Sequence, residues 1–199
     1  INELYSLWCE KAVDEPDLKQ ELISVADDSE GINDRFYRNL EFGTGGLRGV
    51  IGAGTNRMNI YTVRRATQGF ADYINEAFDK PSVAIAYDSR IKSDVFAKAA
   101  AGVFAANGIH VYIYGELMPT PMLSFAVREL NCQAGVMVTA SHNPSKYNGY
   151  KAYGADGCQL NLTDAETVIK KVNALDMFDG VKHIKFDDAV ESGMVEYIG

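Results

Sequence analysis

Cysteine, proline and long apolar runs are all scarce in this sequence of 199 residues. Its three cysteines, Cys9, Cys132 and Cys158, are too few and too widely spaced for a disulfide framework or a zinc motif, which favours a reducing compartment. No apolar run approaches the ~20 residues of a membrane helix, and the N-terminus has no signal-peptide pattern. We therefore expect a cytoplasmic protein without a membrane partner.

Basic charge is also in short supply, since 19 Lys and Arg stand against 27 Asp and Glu, for a formal net charge of -8 at pH 7. This balance argues against a general nucleic-acid binder. It does not exclude an anionic small-molecule substrate, because a few local Arg, Lys and backbone N–H groups can dominate one pocket. With 47% hydrophobic and 23% charged residues, the composition is that of a folded globular chain.

The hydrophobic pattern alternates short strands with longer helices. Residues 1–40 show helical spacing and predict two or three short helices, and six glycines follow between Gly43 and Gly54. The predicted strands are Ser82–Tyr87, Ile109–Tyr114, Ala134–Thr139 and Tyr150–Tyr153, with one or two more in 181–199. The predicted helices are 60–78 after an Asn59 cap, 94–107 after a Ser93 cap, 121–130 after a Thr120 cap, and one opened by a Thr163–Glu166 capping box. This order predicts a three-layer α/β/α fold with a mostly parallel, mixed sheet, preceded by a short helical extension.

Polar loops follow the predicted strands at their carboxyl ends, where sheets of this kind bind ligands. The most informative is Thr139-Ala-Ser-His-Asn-Pro144, which is followed by Asn148-Gly-Tyr-Lys151. It combines a nucleophile, Ser141, with the His142 imidazole as a candidate proton carrier and the Lys151 cation.

Asn148-Gly149 is a turn signal that would fold Lys151 back toward the loop. Pro144, four residues before Asn148, restricts the backbone at the end of the serine loop. On the residues alone, a rigid loop whose polar groups satisfy their own backbone explains the pattern equally well.

Three motifs in order resemble the α-D-phosphohexomutases, the phosphoglucomutase/phosphomannomutase family. The 139–151 segment resembles the family's phosphoserine loop, Phe42-Gly-Thr-Gly-Gly-Leu-Arg-Gly49 resembles its opening glycine-rich loop, and Val83–Arg90 resembles the strand and turn after its first helix. The resemblance runs from about Glu41 to Asp179. The helical extension and the Phe-Gly-Thr-Gly-Gly form are similar to the longer branch, which includes phosphoglucomutases and phosphopentomutases.

The resemblance implies a mutase that moves a phosphoryl group between the 1- and 6- (or 5-) positions of a sugar phosphate, through a phosphoserine and a sugar bisphosphate. Ser141 would carry the phosphoryl group, Arg48 would steady it during transfer, and Lys151 would assist proton transfer at the serine. His142 would orient the reacting oxygens. The resemblance also implies Mg²⁺ as a cofactor, held in part by a phosphoryl oxygen on Ser141.

Thr139, Asn143 and Arg90 are expected on the substrate- or phosphate-binding side of this site. Thr139 and Asn143 would shape the loop, whereas Arg90 would contact a phosphate or pair with a nearby carboxylate. The expected partners are a small-molecule sugar phosphate and a sugar bisphosphate, with no nucleic acid and no membrane.

The family's metal loop, an Asp-Gly-Asp-Gly-Asp type of run, is missing from this sequence, as are the sugar-recognition segments of the later domains. We therefore expect these residues to be the first of four domains of a family member, and to be inactive alone. Its expected divisions are a helical N-terminal extension at 1–40, the α/β/α domain I at 41–185, and the start of a link to a missing second domain at 186–199. The sequence does not select among glucose, mannose and pentose phosphates.

Two other functions stay open at this stage. A non-catalytic sugar-phosphate-binding module would keep the fold, although an intact Ser141, Arg48 and Lys151 argue against it. A serine hydrolase would use Ser141 with Asp88 and a histidine, but the Gly-x-Ser-x-Gly elbow is missing and His142 adjoins the serine. The glycine-rich segment does not fit a nucleotide loop, because Arg48 stands where a third glycine is needed.

Overall fold

A computed structural model describes residues 1–199 and contains one six-stranded sheet with helices on both faces. The elements in chain order are α1 (Asn2–Lys11), α2 (Pro16–Ser24), α3 (Ser29–Phe36), β1 (Gly46–Val50), α4 (Ile60–Ala77), β2 (Ser82–Tyr87), α5 (Ser93–Ala106), β3 (His110–Tyr114), α6 (Thr120–Glu129), β4 (Ala134–Val138), β5 (Tyr147–Gly154), α7 (Leu162–Asn173), α8 (Phe186–Glu191) and β6 (Val195–Ile198). The strand order is β1-β5-β4-β2-β3-β6, and β5 alone runs against the others. The predicted mixed, mostly parallel α/β/α fold is confirmed.

Different helices bury the two faces of the sheet. Along β2, Val83 and Ile85 face the larger hydrophobic cluster, to which α4, α5 and α7 contribute. Ala84 and Ala86 face a smaller cluster, to which α6 contributes. Because strand side chains alternate between faces, this pattern shows that both faces are covered. None of the helices is long and apolar enough to cross a membrane.

The three N-terminal helices share the core of the sheet domain. Trp8, Leu18, Leu22 and Phe36 are at most 3% exposed, and all four belong to the larger cluster. The Glu21 carboxylate of α2 also accepts a hydrogen bond from the Ala53 backbone N–H in the glycine-rich segment. The extension is therefore packed into the α/β domain.

The last residues complete the sheet. Strand β6 pairs in parallel with β3, with Val195 opposite Val111, and both valines are buried. Residues 186–199 thus form α8 and β6 and pack onto the domain. Their expected role as the start of a link to a second domain stays a prediction. The prediction of one or two strands in 181–199 is confirmed by β6. The helix α8 was not predicted, although Phe186, Ala189 and Val190 have the three-to-four-residue spacing of a helix.

Helix starts agree with prediction in one case and differ in others. Asn59 caps α4 as predicted, with a complete capping box. Helix α7 begins one residue before Thr163, because the Asn161 side chain accepts from the Asp164 N–H. The N-cap of α6 is Pro119, one residue before the predicted cap.

Helix α5 has no side-chain cap. Lys92, at φ +63°, precedes the helix, and Ser93 is its first residue. The Ser93 hydroxyl donates to the Asp88 carboxylate at 2.8 Å, so its hydrogen bond goes to the loop after β2.

The predicted turn at Asn148-Gly149 is also wrong, because both residues lie inside β5. Gly149 pairs with Arg48 of β1. A Cβ atom on Gly149 would lie 2.5 Å from the Thr139 carbonyl oxygen and 2.9 Å from that of Leu47. The glycine thus permits close approach of neighbouring backbones.

Candidate functional site

Ser141 lies on the loop between β4 and β5, at the edge of the sheet where β4 ends. Its side chain is exposed, and its backbone has φ +52°, a left-handed conformation that residues other than glycine seldom adopt. The Ser141 N–H donates to the Thr139 hydroxyl at 3.1 Å. Backbone strain at an exposed, nucleophile-bearing residue is typical of functional sites.

Lys151 of β5 contacts this serine directly, since its Nζ lies 2.9 Å from the Ser141 Oγ. Partial burial and the nearby charge of Arg48 lower the pKa of Lys151, and the negative charge of Asp88 opposes the shift. A lowered pKa increases the fraction of neutral amine, the form that can accept a proton. The predicted pairing of these two residues is therefore present in the fold.

Arg48 comes to the site on β1, a strand that the sequence patterns did not predict because two of its five residues are glycines. In the structure, buried Leu47 and Gly49 flank exposed Arg48, which is the alternation of an edge strand. Arg48 pairs with Gly149, two residues from Lys151 on the adjacent strand. The two basic side chains therefore lie on the same face of the sheet.

A cleft of about 460 Å³ opens beside these two cations. Thr139 lines it together with Arg48 and Lys151, and the glycine-rich segment 43–46 forms another wall. Gly45 within that segment has φ +119°, a conformation suited to glycine. The cleft thus combines cationic side chains with closely approachable backbone, as an anionic phosphate requires.

Arg90 packs against the serine loop and lies beside the carboxylate of Asp88. Its guanidinium donates to four backbone carbonyl oxygens of the serine loop, at 2.7 Å (Ser141), 2.8 Å (Asn143), 3.1 Å (Pro144) and 3.2 Å (Tyr147). Its Nε lies 3.6 Å from the Asp88 carboxylate. These contacts occupy both terminal nitrogens and face Nε toward a carboxylate. The carboxylate partner that was one of the two expectations is therefore present, and the phosphate contact stays a prediction.

The remaining predicted residues are divided between the two sides of the loop. Thr139 is buried and its hydroxyl faces the Ser141 backbone, which fits the expected loop-shaping role. Asn143 lines a second cleft of about 430 Å³, together with Arg90 and Asp88. Ser141 lines this second cleft as well. His142 is exposed and lines neither of the two clefts, and its orienting role stays a prediction.

Sequence reasoning missed a buried polar network beneath the loop. The Asn148 side chain is fully buried and donates to the Ile91 carbonyl and the Ser93 hydroxyl, each at 3.0 Å. The Ser93 hydroxyl in turn donates to Asp88. An asparagine between a loop and an apolar strand is the available signal for this network, but the Asn-Gly pair equally indicates a turn.

These residues do not provide a complete set of ligands for a metal ion. No group of three or more His, Cys, Asp or Glu side chains lies close enough together to hold one. Asp88, the carboxylate on this side of the sheet, already accepts from the Ser93 hydroxyl and the Arg90 backbone N–H. The residues present therefore do not fit a Mg²⁺ site by themselves.

The chain is a mixed α/β/α domain with a serine–lysine pair between β4 and β5. Residues 39–178 match the family model described as phosphoglucomutase/phosphomannomutase, alpha/beta/alpha domain I. The chain belongs to this family and represents its N-terminal domain.

Known relatives agree with this assignment. The chain is 46% identical over 140 residues to a phosphoglucomutase of Staphylococcus haemolyticus (strain JCSC1435), covering 70% of this chain and 26% of the relative. It is 43% identical over 165 residues to a phosphoglucomutase of Staphylococcus aureus (strain USA300), covering 83% and 29%. The crystal structure of a Thermus thermophilus protein assigned as a phosphomannomutase is 32% identical, with a TM-score of 0.66, covering 74% of this chain and 32% of that one. The chain thus spans less than a third of each of these relatives.

Proposed function

We propose that this chain is the phosphoserine domain of a mutase that moves a phosphoryl group between the 1- and 6- (or 5-) positions of a sugar phosphate. The observation that carries the proposal is the 2.9 Å contact between the Lys151 Nζ and the Ser141 Oγ. A serine hydroxyl is a weak nucleophile near neutral pH and needs a neighbouring base. Lys151, with its lowered pKa, is that base.

The transfer follows from this contact. The Ser141 Oγ attacks a phosphorus of a sugar bisphosphate, and the neutral Lys151 amine accepts the hydroxyl proton. The bond from phosphorus to Oγ forms as the bond from phosphorus to the sugar oxygen breaks. The sugar oxygen leaves with the electron pair and takes the proton from Lys151. The reverse step returns the phosphoryl group to the other position of the sugar.

Arg48 is assigned to the phosphoryl group in transit. It lies on the same cleft as Lys151 and the glycine-rich segment, and its guanidinium can pair two phosphoryl oxygens at once. Most of the catalysis of phosphoryl transfer comes from positioning and from stabilising negative charge. A cation fixed on a strand provides both. His142 stays a proposal as an orienting residue that acts once the sugar is bound.

We propose Mg²⁺ as the cofactor, with a phosphoryl oxygen of Ser141 as one ligand and the remaining ligands outside these 199 residues. The sugar phosphate, the sugar bisphosphate and the choice of sugar are proposals of the same kind, because the chain spans only part of its relatives. A cytoplasmic location is supported by three free cysteines. We further propose that these residues alone do not turn over sugar phosphate.

The test uses the complete polypeptide that carries this chain, incubated with a ³²P-labelled hexose bisphosphate. Wild type and Ser145→Ala are expected to take up label on Ser141, as located by mass spectrometry, whereas Ser141→Ala folds but takes up none. Ser145 is a matched control because it is exposed on the same loop. Label on any residue other than Ser141 would overturn the assignment.

The same preparation separates the alternatives. Binding of hexose phosphate without label or turnover would favour a non-catalytic binding module. Reaction of Ser141 with a fluorophosphonate probe, again without label from the bisphosphate, would favour a serine hydrolase.

A further inference from the structure

Arg90 is the one side chain that reaches from the turn after β2 into the serine loop after β4 and bonds four of its carbonyl oxygens. The four acceptors belong to residues 141, 143, 144 and 147, so the contacts cover almost the whole loop. The Arg90 side chain is only 15% exposed. Its position is therefore fixed by the loop and shielded from solvent.

The backbone N–H and the Nε of Arg90 are also held in place, by Asp88. The Asp88 carboxylate accepts from the Arg90 backbone N–H at 3.0 Å and lies 3.6 Å from the Arg90 Nε. Asp88 is held by the Ser93 hydroxyl, and its own N–H donates to the Val138 carbonyl at the end of β4. Arg90 therefore fixes the loop relative to β2 and β4.

Ser141 is consequently held from two sides by two cations. Its carbonyl oxygen accepts from Arg90 at 2.7 Å, while its Oγ lies 2.9 Å from the Lys151 Nζ. Its φ of +52° is unfavourable for a serine, so the loop needs an external restraint to keep it. We propose that Arg90 is a positioning residue, which holds the Ser141 backbone in this conformation so that the hydroxyl faces Lys151.

Arginine suits this role for a geometric reason. Its planar guanidinium has five N–H groups in a fixed fork, whereas a lysine has three donors at one point. Without it, the four carbonyl oxygens would lose the donor that they share. Arg90→Lys should therefore keep the positive charge and still lose the restraint.

The inference rests on the proposed function for its effect on phosphoryl transfer, but the restraint itself can be measured without activity. In the complete polypeptide, Arg90→Lys and Arg90→Gln are expected to speed amide exchange in residues 141–147 at least tenfold, with exchange of β2 and β4 unchanged. The rate of Ser141 labelling by hexose bisphosphate should also fall at least tenfold. The KM for sugar phosphate should change less than threefold, because the loop carbonyl oxygens occupy both terminal nitrogens of Arg90.

Arg65→Lys is the matched control. Arg65 is also buried and also donates to backbone carbonyl oxygens, those of Leu175 and Asn173, but it contacts the end of α7. The Arg65→Lys variant should keep both the amide exchange rates of residues 141–147 and the rate of Ser141 labelling near wild type. A comparable loss in Arg65→Lys would show that the effect of Arg90 is general destabilisation.

Each outcome decides the proposal. Unchanged exchange in 141–147 overturns it, and so does faster exchange with an unchanged labelling rate. A rise in KM for sugar phosphate at least tenfold, with labelling unaffected, would make Arg90 a substrate contact instead. If wild type takes up no label, the proposed function fails and the positioning role falls with it, whereas the exchange data still decide whether Arg90 restrains the loop.

Discussion

Gly149 of β5 lies directly opposite Arg48 of β1, and no other residue type fits there without moving a neighbouring strand. A Cβ atom at this position would lie 2.5 Å from the Thr139 carbonyl oxygen, which belongs to backbone and cannot rotate away. The strand that carries Arg48 and the loop that carries Ser141 therefore meet at a single glycine.

Gly149→Ala should destabilise the protein by about 1–3 kcal/mol, because overpacking against backbone forces the strands apart. Chemical denaturation followed by circular dichroism measures this. Gly115→Ala is the control, since its Cβ would approach only a Tyr197 ring atom, at 3.6 Å, and it should change stability by less than about 0.5 kcal/mol. Equal stability of the two variants would refute the close-approach explanation.

Arg48→Ala in the complete polypeptide should lower kcat by more than about a hundredfold, the scale of removing one preorganised donor from a transition state. Arg48→Lys should restore only part of the loss, because a point charge cannot reproduce the fork. Steady-state kinetics provide the measurement. Arg128→Ala, on an exposed arginine that bonds only its own helix, should retain kcat, and a kcat of Arg48→Ala within a few-fold of wild type would make Arg48 a structural residue.

The pH dependence of Ser141 labelling should report the Lys151 amine. Its pKa lies below the usual 10.5, so labelling should rise with pH and level off at a lower pH than an ordinary lysine would give. Removing the Arg48 charge raises the pKa of Lys151. The midpoint in Arg48→Gln should therefore move to higher pH, whatever happens to the maximal rate, and a midpoint that stays in place would exclude this coupling.

Trp8→Ala should cost about 3–5 kcal/mol, the range for removing a large aromatic side chain from a core. Trp8 is fully buried in α1 and packs edge-on against Phe36, Tyr61 and Phe178. Trp8→Phe should cost less, because it keeps part of the volume and removes an indole N–H that has no partner. Ile23→Ala, on a side chain that is 66% exposed, should be nearly neutral in the same denaturation experiment. A neutral Trp8→Ala would mean that the N-terminal helices are dispensable for the core.

Sequence patterns were reliable where one pattern has one structural meaning. The apolar runs of β2, β3 and β4 could only be buried strands, and their parallel order placed the polar loops at one edge. The turn prediction at Asn148-Gly149 is wrong because the same dipeptide occurs both in turns and at strand positions where a side chain does not fit. The role of Arg90 left no signal at all, since its partners are backbone carbonyl oxygens, which every residue has.

The reversal of β5 has a consequence for how such a site can arise. Because β4 and β5 form an antiparallel hairpin, the serine and the lysine that meet at 2.9 Å are only ten residues apart in the chain. A nucleophile and its base that lie on one hairpin can form by local closure, before distant strands are in place. Arg48 and Arg90 come to this hairpin from outside it, on β1 and on the turn after β2, and Arg90 holds the serine loop by its carbonyl oxygens. The serine and its base therefore belong to one local hairpin, and the rest of the sheet fixes the position of that hairpin.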